Sequence, residues 1–129
     1  MIYEHWSEIP ESIWPCVHFK PVEIACHGTG EIEINADALD ALDVFRSLLG
    51  GPVSLSSAYR SQYHNAKVGG AVLSSHTTRG SNGATAFDIK LQGREKDLIR
   101  RCGEQAGFKG FGMKYQTFVH IDMGRRREW

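Results

Sequence analysis

Two stretches in which apolar and polar residues alternate constrain the fold of this chain more than any other feature. Alternation with a period of two is typical of half-buried β-strands. In residues 85–91 and 117–123 one face carries Thr85, Phe87, Ile89, Leu91, Val119, Ile121 and Met123. The opposite face carries Ala86, Asp88, Lys90, Phe118, His120 and Asp122. We therefore predict a sheet with one face in the core and the other displaying an imidazole and two carboxylates.

Helical spacing and end signals predict the layer that covers this sheet. A helix is expected after Asn35, a residue suited to an N-cap, and it should end at Gly50. A second helix is expected over roughly 94–106, a short one over 61–68, and further strands over 53–59 and 111–114. Residues 1–35 are predicted to be irregular because Pro10, Pro15 and Pro21 interrupt them. The pattern favours one α+β domain over 1–129, with a mostly antiparallel central sheet flanked by helices.

Composition excludes several classes of partner. Lys plus Arg and Asp plus Glu both number 15, so the formal net charge is zero. This argues against nucleic acid and anionic membranes as partners, since both usually attract a basic surplus. The three cysteines include no CxxC pair, which argues against a thiolate zinc site and fits a reducing compartment. Residues 1–10 contain no apolar run, so we expect synthesis in the cytoplasm without a signal peptide, and a monomer.

Three of the polar side chains have the chemistry of a catalytic metal site. His76 lies in a predicted polar loop over residues 74–84, whereas Asp88 and His120 lie on the polar faces of predicted strands. Two imidazoles and one carboxylate would bind zinc and leave its fourth position open for water. Zinc lowers the pKa of such a water to roughly 7 and makes it a nucleophile. The spacing of these residues is compatible with such a site but does not by itself specify one.

Four segments in order along the chain resemble the zinc D-alanyl-D-alanine carboxypeptidases and related murein endopeptidases. The central motif of this family is similar to SAYRSQYHNAKVGGAVLSSH at 57–76, and its A-x-D-I element is similar to ATAFDI at 84–89. Its lead-in resembles HFKPVEIACHGTGEIEINADALDAL at 18–42, and the endopeptidase branch often closes like FVHIDMGRRREW at 118–129. The resemblance implies the hedgehog/DD-peptidase fold and zinc-dependent hydrolysis of peptidoglycan peptides.

The resemblance also implies a role for individual residues. The metal ligands of the family correspond to His76, Asp88 and His120, its substrate-binding arginine to Arg60, and its serine to Ser74. The planar guanidinium of Arg60 is suited to gripping a substrate carboxylate with two hydrogen bonds, although a structural ion pair would use the same group. Ser74 would orient substrate or cap the turn.

Two departures from the family pattern affect the metal site. Asp88 follows His76 by twelve positions, a longer gap than usual, so the residues between them would have to bulge as a loop. Many relatives also carry an acid three residues before the last histidine as general base, where this chain has Thr117. Asp122 is the best substitute, because residues two apart on a strand point the same way. It would otherwise orient a ligand histidine or stabilise a turn, and the base would come from His27 or residues 77–83.

These features predict a zinc murein endopeptidase that acts on a stem or cross-link peptide of peptidoglycan. We expect it to act as an endolysin or as part of a phage particle. A carboxypeptidase that removes a terminal D-alanine is the alternative within enzymes. A non-catalytic zinc-binding module like the hedgehog-type signalling domains is the alternative from another class, and Thr117 in place of an acid keeps it open. The arginines at 125–127 are predicted to form a solvated end, with Trp129 packing back on the domain.

Overall fold

A five-stranded sheet organises the part of the chain that the computed structural model describes, which is residues 2–59 and 85–129. Its strands in spatial order are β3 (Leu55–Ser57), β4 (Ala86–Lys90), β6 (Phe118–Asp122), β5 (Gly110–Gly112) and β7 (Arg127–Glu128). The first three pairings are antiparallel, whereas β7 runs parallel to β5. The predicted α+β class is therefore found, but the sheet is mixed rather than mostly antiparallel, because the chain turns after β6 and returns along β5.

Two helices cover one face of this sheet. Helix α2 (Ala36–Leu49) begins where the Asn35 side chain accepts a hydrogen bond from the Ala38 backbone, and it ends at Gly50 with φ +77°. Helix α3 (Lys96–Ala106) ends at Gly107 with φ +108°. Only glycine adopts this left-handed conformation without strain, so both helices end where the sequence predicted.

The hydrophobic core lies between the helices and the predicted apolar face of the sheet. Its largest fully buried members are Phe45, Phe87, Phe108, Ile32, Leu39, Leu42, Ile89, Ile99, Ile121 and Val119. Phe87 meets Phe108 edge to face, with ring centroids 6.0 Å apart. Because this face is occupied by packed side chains, polar chemistry on β4 and β6 is confined to the other face.

The amino-terminal segment is more ordered than its prolines predict. Strands β1 (Ile2–Tyr3) and β2 (Ile32–Glu33) pair antiparallel, with two 3-10 helices, Trp6–Glu8 and Glu11–Ile13, following β1. Helix α1 (Pro21–Ile24) begins at a proline, so the expectation that Pro21 breaks a helix was wrong. Proline is favoured in the first helical turn, because its fixed φ suits the helix and its missing N–H costs nothing there.

The remaining strand predictions were correct in type and too long at their ends. The strands predicted over 53–59 and 117–123 are shorter by a few residues, and the one predicted over 111–114 starts at Gly110. The helix predicted over 61–68 and the loop predicted over 74–84 lie outside the described residues. Within residues 2–59 and 85–129, no helix is long and apolar enough to cross a membrane.

Candidate metal centre

Asp88 and His120 meet on the face of the sheet away from the helices. They are directly opposed in the antiparallel register of β4 and β6, and the same register places Ala86 opposite Asp122. Opposed residues on paired strands project to the same side, within reach of one another. The Oδ1 atom of Asp88 lies 3.0 Å from Nδ1 of His120, and each residue is only 8% exposed. The structure therefore brings together two of the three predicted ligands.

Both ring nitrogens of His120 are engaged. While Nδ1 faces Asp88, Nε2 lies 2.7 Å from Oδ2 of Asp122. Burial lowers the pKa of His120, but the hydrogen bonds to Asp122 and Asp88 outweigh burial and raise it above the ordinary histidine value. A carboxylate on each side thus stabilises positive charge at this ring, whether a proton or a metal ion supplies it.

Asp122 is the most constrained side chain of the site. It is fully buried and accepts hydrogen bonds from the His120 ring, the Gly124 backbone at 3.0 Å and two nitrogens of Arg127 at 2.7 and 2.9 Å. Burial alone would raise the pKa of its carboxyl, yet the bonds to His120 and Arg127 hold that pKa well below the usual range. The predicted role of Asp122 as a general base stays a prediction. These contacts favour the alternative in which it orients His120.

Arg127 reaches the site from the carboxy-terminal strand, where the sequence predicted a solvated end. That expectation holds for Arg125 and Arg126, which are exposed, and was wrong for Arg127. Trp129 packs back as predicted: its ring lies 5.1 Å from the His120 ring and 4.7 Å from the Arg127 guanidinium. The available signal was the two-residue spacing of Arg127 and Trp129, which places both side chains on one side of an extended segment.

Two glycines of β5 leave room for these side chains. Gly110 is opposed to Asp122 and Gly112 to His120. A Cβ at position 110 would collide with the Asp122 carboxylate and the Arg127 guanidinium. A Cβ at position 112 would lie 2.9 Å from the Trp129 ring and 3.0 Å from Cβ of His120. The sequence pattern Gly-Phe-Gly in a strand was a signal of such close approach.

The described residues fit a zinc ion in part. Two atoms that share one zinc at about 2.0–2.2 Å each must lie within roughly 4 Å of one another, and Asp88 Oδ1 and His120 Nδ1 do so. The hydrogen bond at Nε2 is also the kind that metal-bound histidines make with a carboxylate. Within residues 2–59 and 85–129, no group of three His, Cys, Asp or Glu could hold a metal ion. The third predicted ligand, His76, lies outside those residues, as do Arg60 and Ser74.

Other residues that the sequence singled out lie elsewhere. Thr117 is exposed at the bend before β6, and His27 is exposed in the amino-terminal segment. Cys26 is a buried cysteine that packs beside Tyr59. Tyr59 is 4% exposed, and burial raises the pKa of its hydroxyl, so it packs rather than ionises.

Comparison with known proteins identifies a family that contains this part of the chain. The family described as Peptidase M15 matches residues 17–122. The match contains Asp88, His120 and Asp122 and stops before Arg127. No curated protein matches the chain.

Proposed function

The chain belongs to the peptidase M15 family, which is a family of metallopeptidases, and from that premise we propose that it hydrolyses peptide bonds in bacterial peptidoglycan with zinc. In the proposed site, Asp88 and His120 hold the metal together with His76. We propose an endopeptidase of the murein type, in keeping with the resemblance of residues 118–129 to that branch.

The Asp88–His120 contact is the observation that carries this proposal. Two electron-pair donors approach to 3.0 Å on a largely buried face, and such an approach is stable only with a proton or a cation between them. When bound, zinc supplies a Lewis acid for the scissile carbonyl and lowers the pKa of a bound water to roughly 7. The site is thus built to accept positive charge where a peptidase of this family needs it.

The side chains around these two donors have separate tasks. Asp122 fixes the His120 ring through Nε2, so that Nδ1 is directed at Asp88. Trp129 covers the ring and excludes water from one side. We assign substrate binding to Arg60, whose guanidinium suits a peptide carboxylate, and substrate orientation to Ser74, on the strength of the sequence resemblance. Thr117 has no ionisable group, so the residue that accepts the proton from water has to come from another position.

Digestion of defined muropeptides, followed by mass measurement of the products, tests the proposal. Zinc-loaded protein should cut a cross-linked dimer, and a chelator should abolish cleavage until zinc is restored. His120→Ala and Asp88→Ala should reduce the rate to background. His18→Ala is the matched control, because His18 is exposed and contacts Ser47 through a 3.4 Å hydrogen bond, and it should cut at the wild-type rate.

The product masses decide between the two enzymatic readings. Release of stem-peptide fragments from the dimer would support the endopeptidase, whereas release of a single D-alanine would show a carboxypeptidase instead. Protein that binds zinc and cuts none of several wall chemotypes would contradict the proposal in favour of a non-catalytic module.

A further inference from the structure

Arg127 of strand β7 and Trp129, which directly follows the strand, contribute their side chains to a site whose other described members lie on β4 and β6. Residues 123–129 follow the segment that matches the family. Along this carboxy-terminal segment exposure alternates: Glu128 is exposed, whereas Arg127 and Trp129 are partly buried toward the site. Its parallel register places Arg127 beside Gly110, the residue that is also opposed to Asp122. A short strand thereby delivers a guanidinium to a fully buried carboxylate.

Arg127 binds Asp122 with both terminal nitrogens. Nη1 donates to Oδ1 at 2.9 Å and Nη2 to Oδ2 at 2.7 Å, which is the two-pronged geometry that a planar guanidinium makes and an ammonium cannot. Since Oδ2 also accepts from His120 Nε2, the guanidinium fixes the plane of the carboxylate that faces the ring. Rotation of Asp122 would break all of these bonds together.

Trp129 holds the strand and the ring in place from the other side. Its backbone N–H donates to Phe111 at 3.0 Å, and its indole N–H donates to the Tyr115 hydroxyl at 3.2 Å. Between these anchors the indole ring contacts both the His120 ring and the Arg127 guanidinium. The last residues of the chain are therefore bound by backbone and side chain at once.

We propose that Arg127 is a positioning residue of the metal site. It fixes the orientation of the His120 ring through Asp122, and Trp129 packs against both the ring and the guanidinium. The expected effect on zinc binding rests on the proposed function. The contacts among Arg127, Asp122 and His120 do not depend on that function. When a metal ion lies between Asp88 and His120, the one proton of the neutral imidazole is on Nε2, and a carboxylate held there fixes the ring so that the Nδ1 lone pair faces the metal. Loss of Arg127 frees Asp122 to turn, and the ring then loses its fixed direction. Partners of this kind typically change metal affinity by about 10- to 100-fold.

A purely structural role for Arg127 makes different predictions. If the arginine only pinned β7 to the sheet, its loss would lower the melting temperature and leave the His120 side chain unaffected in protein that remains folded. If it positions the ring, two properties of folded protein change: protection of the His120 side-chain N–H from solvent, and affinity for zinc.

The experiment compares Arg127→Met, Arg127→Lys and Arg126→Met in full-length protein. Arg126 is the matched control, because its side chain is 71% exposed and its ion pair with Glu104 spans 3.7 Å. NMR of 15N-histidine-labelled, metal-free protein at one pH measures how fast the proton on Nε2 of His120 exchanges with solvent. The signal is assigned with His120→Asn. Competition with a chelator measures zinc affinity. Methylguanidinium is then added to Arg127→Met, since the arginine side chain is 27% exposed and its site is open to solvent.

We expect wild-type protein and Arg126→Met to show a protected His120 N–H. Arg127→Met should lose that protection and bind zinc about 10-fold or more weakly, and methylguanidinium should restore part of both. Arg127→Lys keeps the charge and loses the two-pronged contact, so its N–H protection and zinc affinity should lie between those of wild-type protein and Arg127→Met. It replaces the methionine variant in the comparison if that variant does not fold. Wild-type exchange and affinity in folded Arg127→Lys or Arg127→Met would overturn the inference. Wild-type protein that binds no zinc but shows Arg127-dependent protection would refute the proposed function and leave the positioning role standing.

Discussion

The imidazole of His120 is held at both nitrogens by carboxylates, and this arrangement decides what the residue can do. Residue parity on the strands predicted that Asp88, His120 and Asp122 share a face. Parity does not predict which carboxylate meets which nitrogen, because that depends on strand register: Asp88 comes from the neighbouring strand, while Asp122 is two residues along the same strand. The contribution of Arg127 was also unpredictable from charge pattern alone, since three consecutive arginines are usually solvated.

Glu33 provides a test of burial at the scale of one residue. Its Oε2 atom is buried without a hydrogen-bond donor among the described residues, and burial, with the charge of Glu31 adding to it, raises the pKa of the carboxyl. A raised carboxyl pKa means that ionised Glu33 destabilises the folded state. Stability is therefore lost as pH rises through the folded pKa, and no such loss exists below the unfolded value of about 4.3.

Glu33→Gln should accordingly stabilise the protein at pH 7 and have no effect near pH 3.5. Partial exposure limits the gain at pH 7 to about 1 kcal/mol or less, measured by urea unfolding at both pH values. The exposed Glu4 is the control, and Glu4→Gln should change neither value. An equal effect of Glu33→Gln at the two pH values would show that ionisation of this group is irrelevant to stability.

Among the helices and strands, those with clear caps or apolar periodicity were predicted most accurately from the sequence. Helices α2 and α3 have caps and a periodic apolar stripe, so their ends were predicted to within a few residues. Strand β7 is two residues long and contains only charged side chains, so no alternation of apolar and polar residues within it marks it as a strand. It exists because β5 offers a free edge and Trp129 a hydrophobic anchor, and both depend on tertiary structure.

Strand β5 gives a second test at this scale. Gly110 lacks the side chain that would collide with Asp122 and Arg127. Gly110→Ala should therefore destabilise the protein by about 1–3 kcal/mol, the usual cost of overpacking, and weaken zinc binding because the clash displaces the Asp122–Arg127 pair. Urea unfolding and chelator competition measure the two effects.

Gly51→Ala is the control for this substitution. A Cβ at that position meets only the flexible end of Arg94 at 3.0 Å, so stability and zinc affinity should be close to those of the wild type. Wild-type zinc affinity in folded Gly110→Ala would mean that the space opposite Asp122 does not matter for the site.

At the scale of the whole molecule, the sheet assembles a site from distant parts of the chain. Asp88 and His120 are 32 positions apart, and antiparallel pairing of β4 and β6 brings their side chains to 3.0 Å. The apolar face of the sheet and the shared polar face of Asp88, His120 and Asp122 followed from alternation, and the α+β class followed from alternation together with helical spacing. The mixed sheet, the ordered amino-terminal segment and the role of β7 did not, because each depends on contacts between segments that carry no local pattern. Membership of the peptidase M15 family agrees with the site that the two strands form.

Anomalous diffraction at the zinc edge, from crystals of zinc-loaded protein, shows whether the metal lies between the two strands. We expect one zinc peak at about 2.0–2.2 Å from both Nδ1 of His120 and a carboxylate oxygen of Asp88, with Nε2 of His120 still bonded to Asp122. A peak bound through Nε2 in place of Asp122, or no peak between residues 88 and 120, would contradict this expectation.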